Sequence, residues 1–136
     1  MNREVKFRGF NTLDKELCRV TEINYDEGFV GLQNRNNDYV EIGISAIILM
    51  QFTGLKDKNG VEIYEGDIIL VNGNIKKQVK YLNDCACFGV ANIDDFKDES
   101  WKDIWQVPSI GWWNDFKRDI EIIGNIYENP ELLEGK

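Results

Sequence analysis

Apolar and polar positions alternate along most of this chain with the two-residue period of half-buried strands. Residues 4–10 set Val5, Phe7 and Gly9 against charged neighbours, and Asn11-Thr12 marks the turn that follows. Further strands are predicted over 15–24, 29–33 and 39–42, separated by Tyr25-Asp26-Glu27-Gly28 and by an asparagine-rich loop at 34–38. Residues 45–50 (SAIILM) fit either a fully buried strand or a short helical turn capped by Ser45, because periodicity alone does not separate the two. Beyond Gly54 and Leu55, the polar stretch 56–60 ends in Asn59-Gly60, a pair favoured where both central residues of a hairpin turn take positive φ. Val61, Ile63 and Tyr64 then point inward, Glu65-Gly66-Asp67 turns the chain again, and Ile68 to Val71 reads as a central strand. Asn72-Gly73 predicts a second hairpin, leading into strands over 75–82 and 85–90.

The rhythm changes after residue 92. Trp101, Ile104 and Trp105 fall at i, i+3 and i+4, the stripe of a short helix over about 97–106, which Pro108 and Gly111 end. Trp112-Trp113 follow, and 119–126 returns to strand character before the turn at Asn129-Pro130. The expected fold is therefore mainly β. An N-terminal antiparallel lobe, residues 1–52, packs against a small SH3-like barrel, residues 53–136, which includes the Trp-rich connection 94–118. The two lobes could also behave as one domain.

Composition narrows the chemistry. The 136 residues include no histidine, which removes Ser-His-Asp, Cys-His and His-metal arrangements from within this chain. Three cysteines without an export signal read as reduced thiols, and no apolar run approaches a bilayer span, so the cytoplasm is the expected address and no membrane contact is expected. The net charge of −8 disfavours broad nucleic-acid binding. Charge is unevenly spread: residues 1–20 carry five bases against three acids, +2, while residues 94–136 carry five bases against eleven acids, −6. That asymmetry suits head-to-tail self-association as well as a foreign partner.

Three separated blocks, REVKFRGFN, ILMQFTGLKDKNGVEIYEGDIILV and IIGNIYENPELLEG, together resemble the YopX family of small prophage and phage proteins of low-GC Gram-positive bacteria. The resemblance spans the chain and implies an all-β fold, a phage context and no established biochemical activity. Family members often open with FR-x-W-D, where this chain has Phe7-Arg8-Gly9-Phe10-Asn11.

Each motif has a functional and a structural reading. Gly54, Asp57, Asn59, Gly60, Tyr64, Glu65, Gly66 and Asp67 could form a recognition loop around an aromatic platform. Corner chemistry explains the same residues more simply: the glycines and Asn59 permit positive φ, the aspartates accept backbone N–H bonds, and the tyrosine hydroxyl pins the corner. The triplet Ile63-Tyr64-Glu65 recurs as Ile126-Tyr127-Glu128 before Asn129-Pro130, which suggests that the two tyrosines pack at one end of the barrel. Cys85 and Cys87 offer at most half a zinc site and read as core packing. The pairs Asp94-Asp95 and Asp98-Glu99 read as a solvated face. Lys76, Lys77 and Lys80 read as protection of an edge strand.

Four tryptophans within thirteen residues, Trp101, Trp105, Trp112 and Trp113, are the interaction candidates, because tryptophan is enriched at the energetic centres of interfaces. No catalytic residue, metal site or cofactor is expected. The preferred function is a non-enzymatic phage accessory protein acting by protein–protein contact with a host or phage protein and forming a homo-oligomer. An acidic decoy that mimics DNA ranks second, and an enzyme using carboxylates third.

Overall fold

The computed structural model describes residues 4–83, 86–92 and 119–134. The chain divides into two compact units, Met1–Phe52 and Thr53–Lys136. Among the described residues, ten antiparallel strands form two sheets. β1 (Phe7–Asn11), β2 (Glu16–Asn24), β3 (Phe29–Gln33), β4 (Tyr39–Gly43), β5 (Ile47–Lys56) and β6 (Glu62–Tyr64) make one sheet in the order β4-β3-β2-β1-β5-β6. β7 (Asp67–Val71), β8 (Ile75–Leu82), β9 (Cys87–Asn92) and β10 (Ile120–Asn125) make the other in the order β10-β7-β8-β9. The expected strands are present, and among the described residues helical structure is confined to 3-10 turns, including Ile44–Ala46 and Pro130–Glu134. The helix expected near 97–106 lies outside the described residues. Among those residues no helix is long and apolar enough to cross a membrane.

The first unit coils tightly. β4 and β5 are four strand spacings apart in the sheet order, ~19 Å in a flat sheet. The link between them holds three residues, a reach of ~15 Å at most over four Cα–Cα steps. Only a strongly curled sheet closes that gap. The link is pinned at both ends: Thr12 donates to the Ala46 carbonyl through its N–H and its hydroxyl at 3.0 and 2.7 Å, and Ile44 N–H donates to the Gly28 carbonyl at 2.9 Å. Residues 45–50 thus combine both alternatives, a 3-10 turn without a side-chain cap and then strand.

Inside the curl lie Cys18, Val30, Leu32, Ile42 and Ile47. Gly9 belongs to this core by necessity, since a Cβ there would lie 2.6 Å from Ile47 Cδ1 and 2.7 Å from Cγ1. On the outer face Met50 and Phe52 are also buried. Long cationic side chains lie over them, with Arg8 Nη2 3.6 Å from Met50 Sδ and Lys6 Nζ 4.9 Å from the Phe52 ring centre.

The second unit corrects the barrel expected over 53–136. Its described strands form an open four-stranded sheet plus β6, which pairs with β5 instead of closing onto β7. The turn at residues 65–66 sends the chain from one sheet into the other, so the ladder cannot continue around a ring. Ile63, Ile69, Val71, Val79, Val90 and Ile120 form the core on one face. Ile68, Gln78, Leu82 and Ala91 are buried on the other. β7 is central, as its unbroken apolar run predicts. The lysine-bearing β8 is interior too, between β7 and β9, so the edge-protection reading of Lys76, Lys77 and Lys80 does not hold.

Candidate functional site

The signature residues concentrate where the β5–β6 hairpin, the 64–67 corner and the end of β10 meet. Asp57 organises the first of these. Gly60 N–H donates to the Asp57 carbonyl at 3.0 Å, and Asp57 N–H to the Val61 carbonyl at 2.8 Å. This is a three-residue hairpin loop, and only Gly60 of the Asn59-Gly60 pair takes positive φ, 82°. The expectation that both residues are left-handed fails here because the tight turn has Lys58 and Asn59 at its centre. It holds at Asn72-Gly73, where φ is 53° and 78° and Asn74 N–H closes the turn onto the Val71 carbonyl.

The Asp57 side chain is 8% exposed and accepts three backbone N–H bonds. Asn59 and Val61 donate to Oδ1, both at 2.9 Å, and Ile122 on β10 donates to Oδ2 at 3.0 Å. Desolvation pushes this carboxyl upward. The three N–H bonds, with help from the Lys58 charge, outweigh it and hold the pKa below the ordinary 3.8. Lys58 N–H also donates to the Ile120 carbonyl at 2.9 Å, and its ammonium lies 3.2 Å from Asp119. That hydrogen bond to Asp119 raises the Lys58 pKa. Together these bonds seal the outer edge of β10.

At the corner, Gly66 sits at φ 89°, with its N–H donating to the Val79 carbonyl at 2.8 Å. Asp67, 1% exposed, accepts Tyr64 N–H on Oδ2 at 2.8 Å. Tyr64 thus serves the corner with its backbone, while its hydroxyl donates to Glu62 Oε1 over a long 3.5 Å. Glu65 is half-buried within the turn, and Gly54, at φ 91°, breaks the regularity of β5.

The C-terminal block meets this corner directly. Asn125 pairs with Asp67 in the β7–β10 register, and Ile126 N–H donates to the Gly66 carbonyl at 2.9 Å. The two Ile-Tyr-Glu triplets are therefore neighbours in space. Asn125, buried and absent from the sequence-derived candidates, is the hub of the second turn. Its Oδ1 accepts the N–H groups of Tyr127 and Glu128 at 3.0 and 2.8 Å, its Nδ2 donates to Glu128 Oε1 at 3.0 Å, and its own N–H donates to Asn129 Oδ1 at 3.1 Å. The signal for it was present in the sequence, an asparagine opening a turn to which its own side chain can bond. Asn129 also fills the space over Gly124, where a Cβ would lie 2.6 Å from Oδ1, and Pro130 opens the final 3-10 turn.

The family model described as YopX protein matches residues 6–134. The chain belongs to the YopX family. The crystal structure of protein EF1440 from Enterococcus faecalis is similar over 98% of this chain and 100% of that one, with 28% identity and a TM-score of 0.64. No curated protein sequence matches this chain. Neither the name YopX protein nor the name of the Enterococcus faecalis protein specifies a reaction.

In this YopX-family protein the block around residues 54–67 and the block around 124–130 form one structural joint, in which Asp57, Asp67, Asn125 and Asn129 accept backbone N–H bonds. Among the described residues no group of three or more Cys, Asp or Glu could hold a metal. Cys18 is buried in the first core and Cys87 is half-buried at the start of β9; Cys85 lies outside the described residues. So do Trp101, Trp105, Trp112 and Trp113.

Proposed function

We propose that this YopX-family protein is a non-enzymatic phage or prophage accessory protein of the bacterial cytoplasm that acts by protein–protein contact and self-associates, with Trp101, Trp105, Trp112 and Trp113 supplying the contact. The observation that carries this reading is the use made of the signature polar groups. Asp57 accepts three backbone N–H bonds, Asp67 accepts the Tyr64 N–H, and Asn125 accepts two backbone N–H bonds on a single oxygen. Groups bound in this way hold turns and are poorly placed to bind substrate, so the most distinctive chemistry of the chain supports architecture. The tryptophan-rich stretch stands apart from that joint in sequence, and its large apolar area suits a contact surface.

The test is light scattering after size exclusion on wild type and on Trp112→Ala/Trp113→Ala. An oligomeric wild type and a folded monomeric variant support the reading. A variant that unfolds would mean that the tryptophans are core, and a wild-type monomer that captures no protein partner would remove the basis for contact.

A further inference from the structure

Asn-Gly occurs twice in the chain, at Asn59-Gly60 and Asn72-Gly73, and all four residues are exposed. This dipeptide is prone to an internal reaction. The glycine amide nitrogen, once deprotonated, can attack the asparagine Cγ, and glycine has no side chain to hinder the approach. The fold treats the two pairs in opposite ways.

At Asn59-Gly60 the nucleophile is tied down. Gly60 N–H donates to the Asp57 carbonyl at 3.0 Å, and Asp57 N–H donates to the Val61 carbonyl at 2.8 Å. Asp57 Oδ1 accepts the N–H groups of Asn59 and Val61, both at 2.9 Å, and the Ile120 carbonyl accepts Lys58 N–H at 2.9 Å. The N–H groups of all five residues from 57 to 61 are therefore hydrogen-bonded. Any rotation that carries Gly60 N toward Asn59 Cγ must break several of these bonds together.

At Asn72-Gly73 the bonds fall the other way. Among the described residues no hydrogen bond holds Gly73 N–H, and a long bond of 3.3 Å, from Asn74 N–H to the Val71 carbonyl, closes the turn. A Cβ added at Gly73 would meet nothing within 4 Å, so the glycine has room to move. The electrophile, by contrast, is anchored. Asn72 N–H donates to the Asp119 carbonyl at 2.7 Å, and Asp119 N–H donates to Asn72 Oδ1 at 3.3 Å. That oxygen gains negative charge when nitrogen attacks Cγ, so Asp119 N–H is already aimed at the developing oxyanion.

We propose that Asn72 is a site of intramolecular deamidation in the folded protein, and that the Asp57 loop shields Asn59 from the same reaction. Gly73 N loses its proton to hydroxide and bonds to Asn72 Cγ; the Cγ–Nδ2 bond breaks, and Nδ2 takes a proton from water and leaves as ammonia. Water then opens the cyclic imide at either carbonyl, giving aspartate or isoaspartate at position 72. Isoaspartate routes the chain through Cβ and lengthens a two-residue turn by one backbone atom. Because turn length sets hairpin register, the change strains the β7–β8 pairing and the tie from Asn72 to Asp119 at the entrance of β10. The proposal is independent of the contact-based function above.

The experiment incubates the folded full chain at neutral and mildly alkaline pH, alongside a sample kept unfolded in urea. Tandem mass spectrometry locates the amide-to-acid exchange and separates isoaspartate from aspartate, while amide hydrogen exchange compares Gly73 with Gly60. In the folded chain Asn72 is expected to convert about tenfold or more faster than Asn59, and Gly73 to exchange faster than Gly60. In urea the two asparagines are expected to convert at comparable rates. Asp57→Asn, checked for folding by circular dichroism, is expected to speed conversion at Asn59 and leave Asn72 unchanged. Equal or faster conversion at Asn59 in the folded wild type overturns the proposal. So does an Asn72 that converts in urea but stays intact in the folded chain.

Discussion

Replacing Asp57 with alanine removes the side-chain acceptor of three backbone N–H groups. Two of the donors, Asn59 and Val61, are exposed residues whose N–H groups turn to water at little cost. The third, Ile122, is half-buried and lies beneath the hairpin, so its N–H is desolvated without a partner. Charge-assisted hydrogen bonds contribute ~1.5–3 kcal/mol each, and an orphaned buried donor costs ~1–3 kcal/mol. Discounting the two exposed donors leaves an expected loss of about 2–4 kcal/mol, a drop of roughly 10 °C in Tm for a chain of this size. Asp57→Asn is expected to lose less, about 1–2 kcal/mol, because one amide oxygen can serve either Oδ1 or Oδ2 donors but not both sets.

The charge gives a second readout. The folded pKa of Asp57 lies below its ordinary value of 3.8, so its stabilisation is fully present above that value and is lost as pH falls through the folded pKa. The gap between wild type and Asp57→Ala in urea melts is therefore wide at pH 7 and shrinks below about pH 4. An alanine variant within about 0.5 kcal/mol of wild type at pH 7, or a gap that widens on acidification, would refute the reasoning.

Other substitutions test the remaining joints. Gly9→Ala forces a methyl into Ile47 and is expected to cost about 1–3 kcal/mol in a thermal melt, whereas Gly43→Ala, at φ −58° with nothing within 4 Å, is expected to be neutral or mildly stabilising. Gly66→Ala at φ 89° is expected to cost about 1–2 kcal/mol in urea unfolding, with the melt still cooperative. Gln78, fully buried with neither amide atom hydrogen-bonded among the described residues, burdens the second unit; Gln78→Met is expected to raise the urea midpoint by an amount equivalent to about 1–2 kcal/mol, and a lowered midpoint would mean the amide has a partner in solution. The tryptophan variant described above completes the set.

What could be read from the residues alone was whatever a few neighbours decide together. Strand alternation along β1 to β4 depends on a two-residue period, and the Asn72-Gly73 hairpin depends on two residues that tolerate positive φ, so both were legible. The preference for a corner over a recognition loop at 54–67 came from the same local chemistry. Even there the limit shows at Asn59, whose φ depends on the loop length chosen by Asp57 and Val61. Tertiary structure decided everything that depends on which distant segment arrives beside a residue. The bond from Ile122 to Asp57 spans 65 positions, and Asn125 became a hub only once β10 aligned with β7. A three-residue link forced the first sheet to curl, β6 joined β5 instead of closing a barrel, and β8 acquired β9 as an outer neighbour. The carboxylates around Tyr39 likewise meet only through register, because a shift of one residue would send each side chain to the other face. Local conformational preference is written in short stretches of sequence, whereas strand order and register minimise the free energy of the whole chain, and no short window contains that sum.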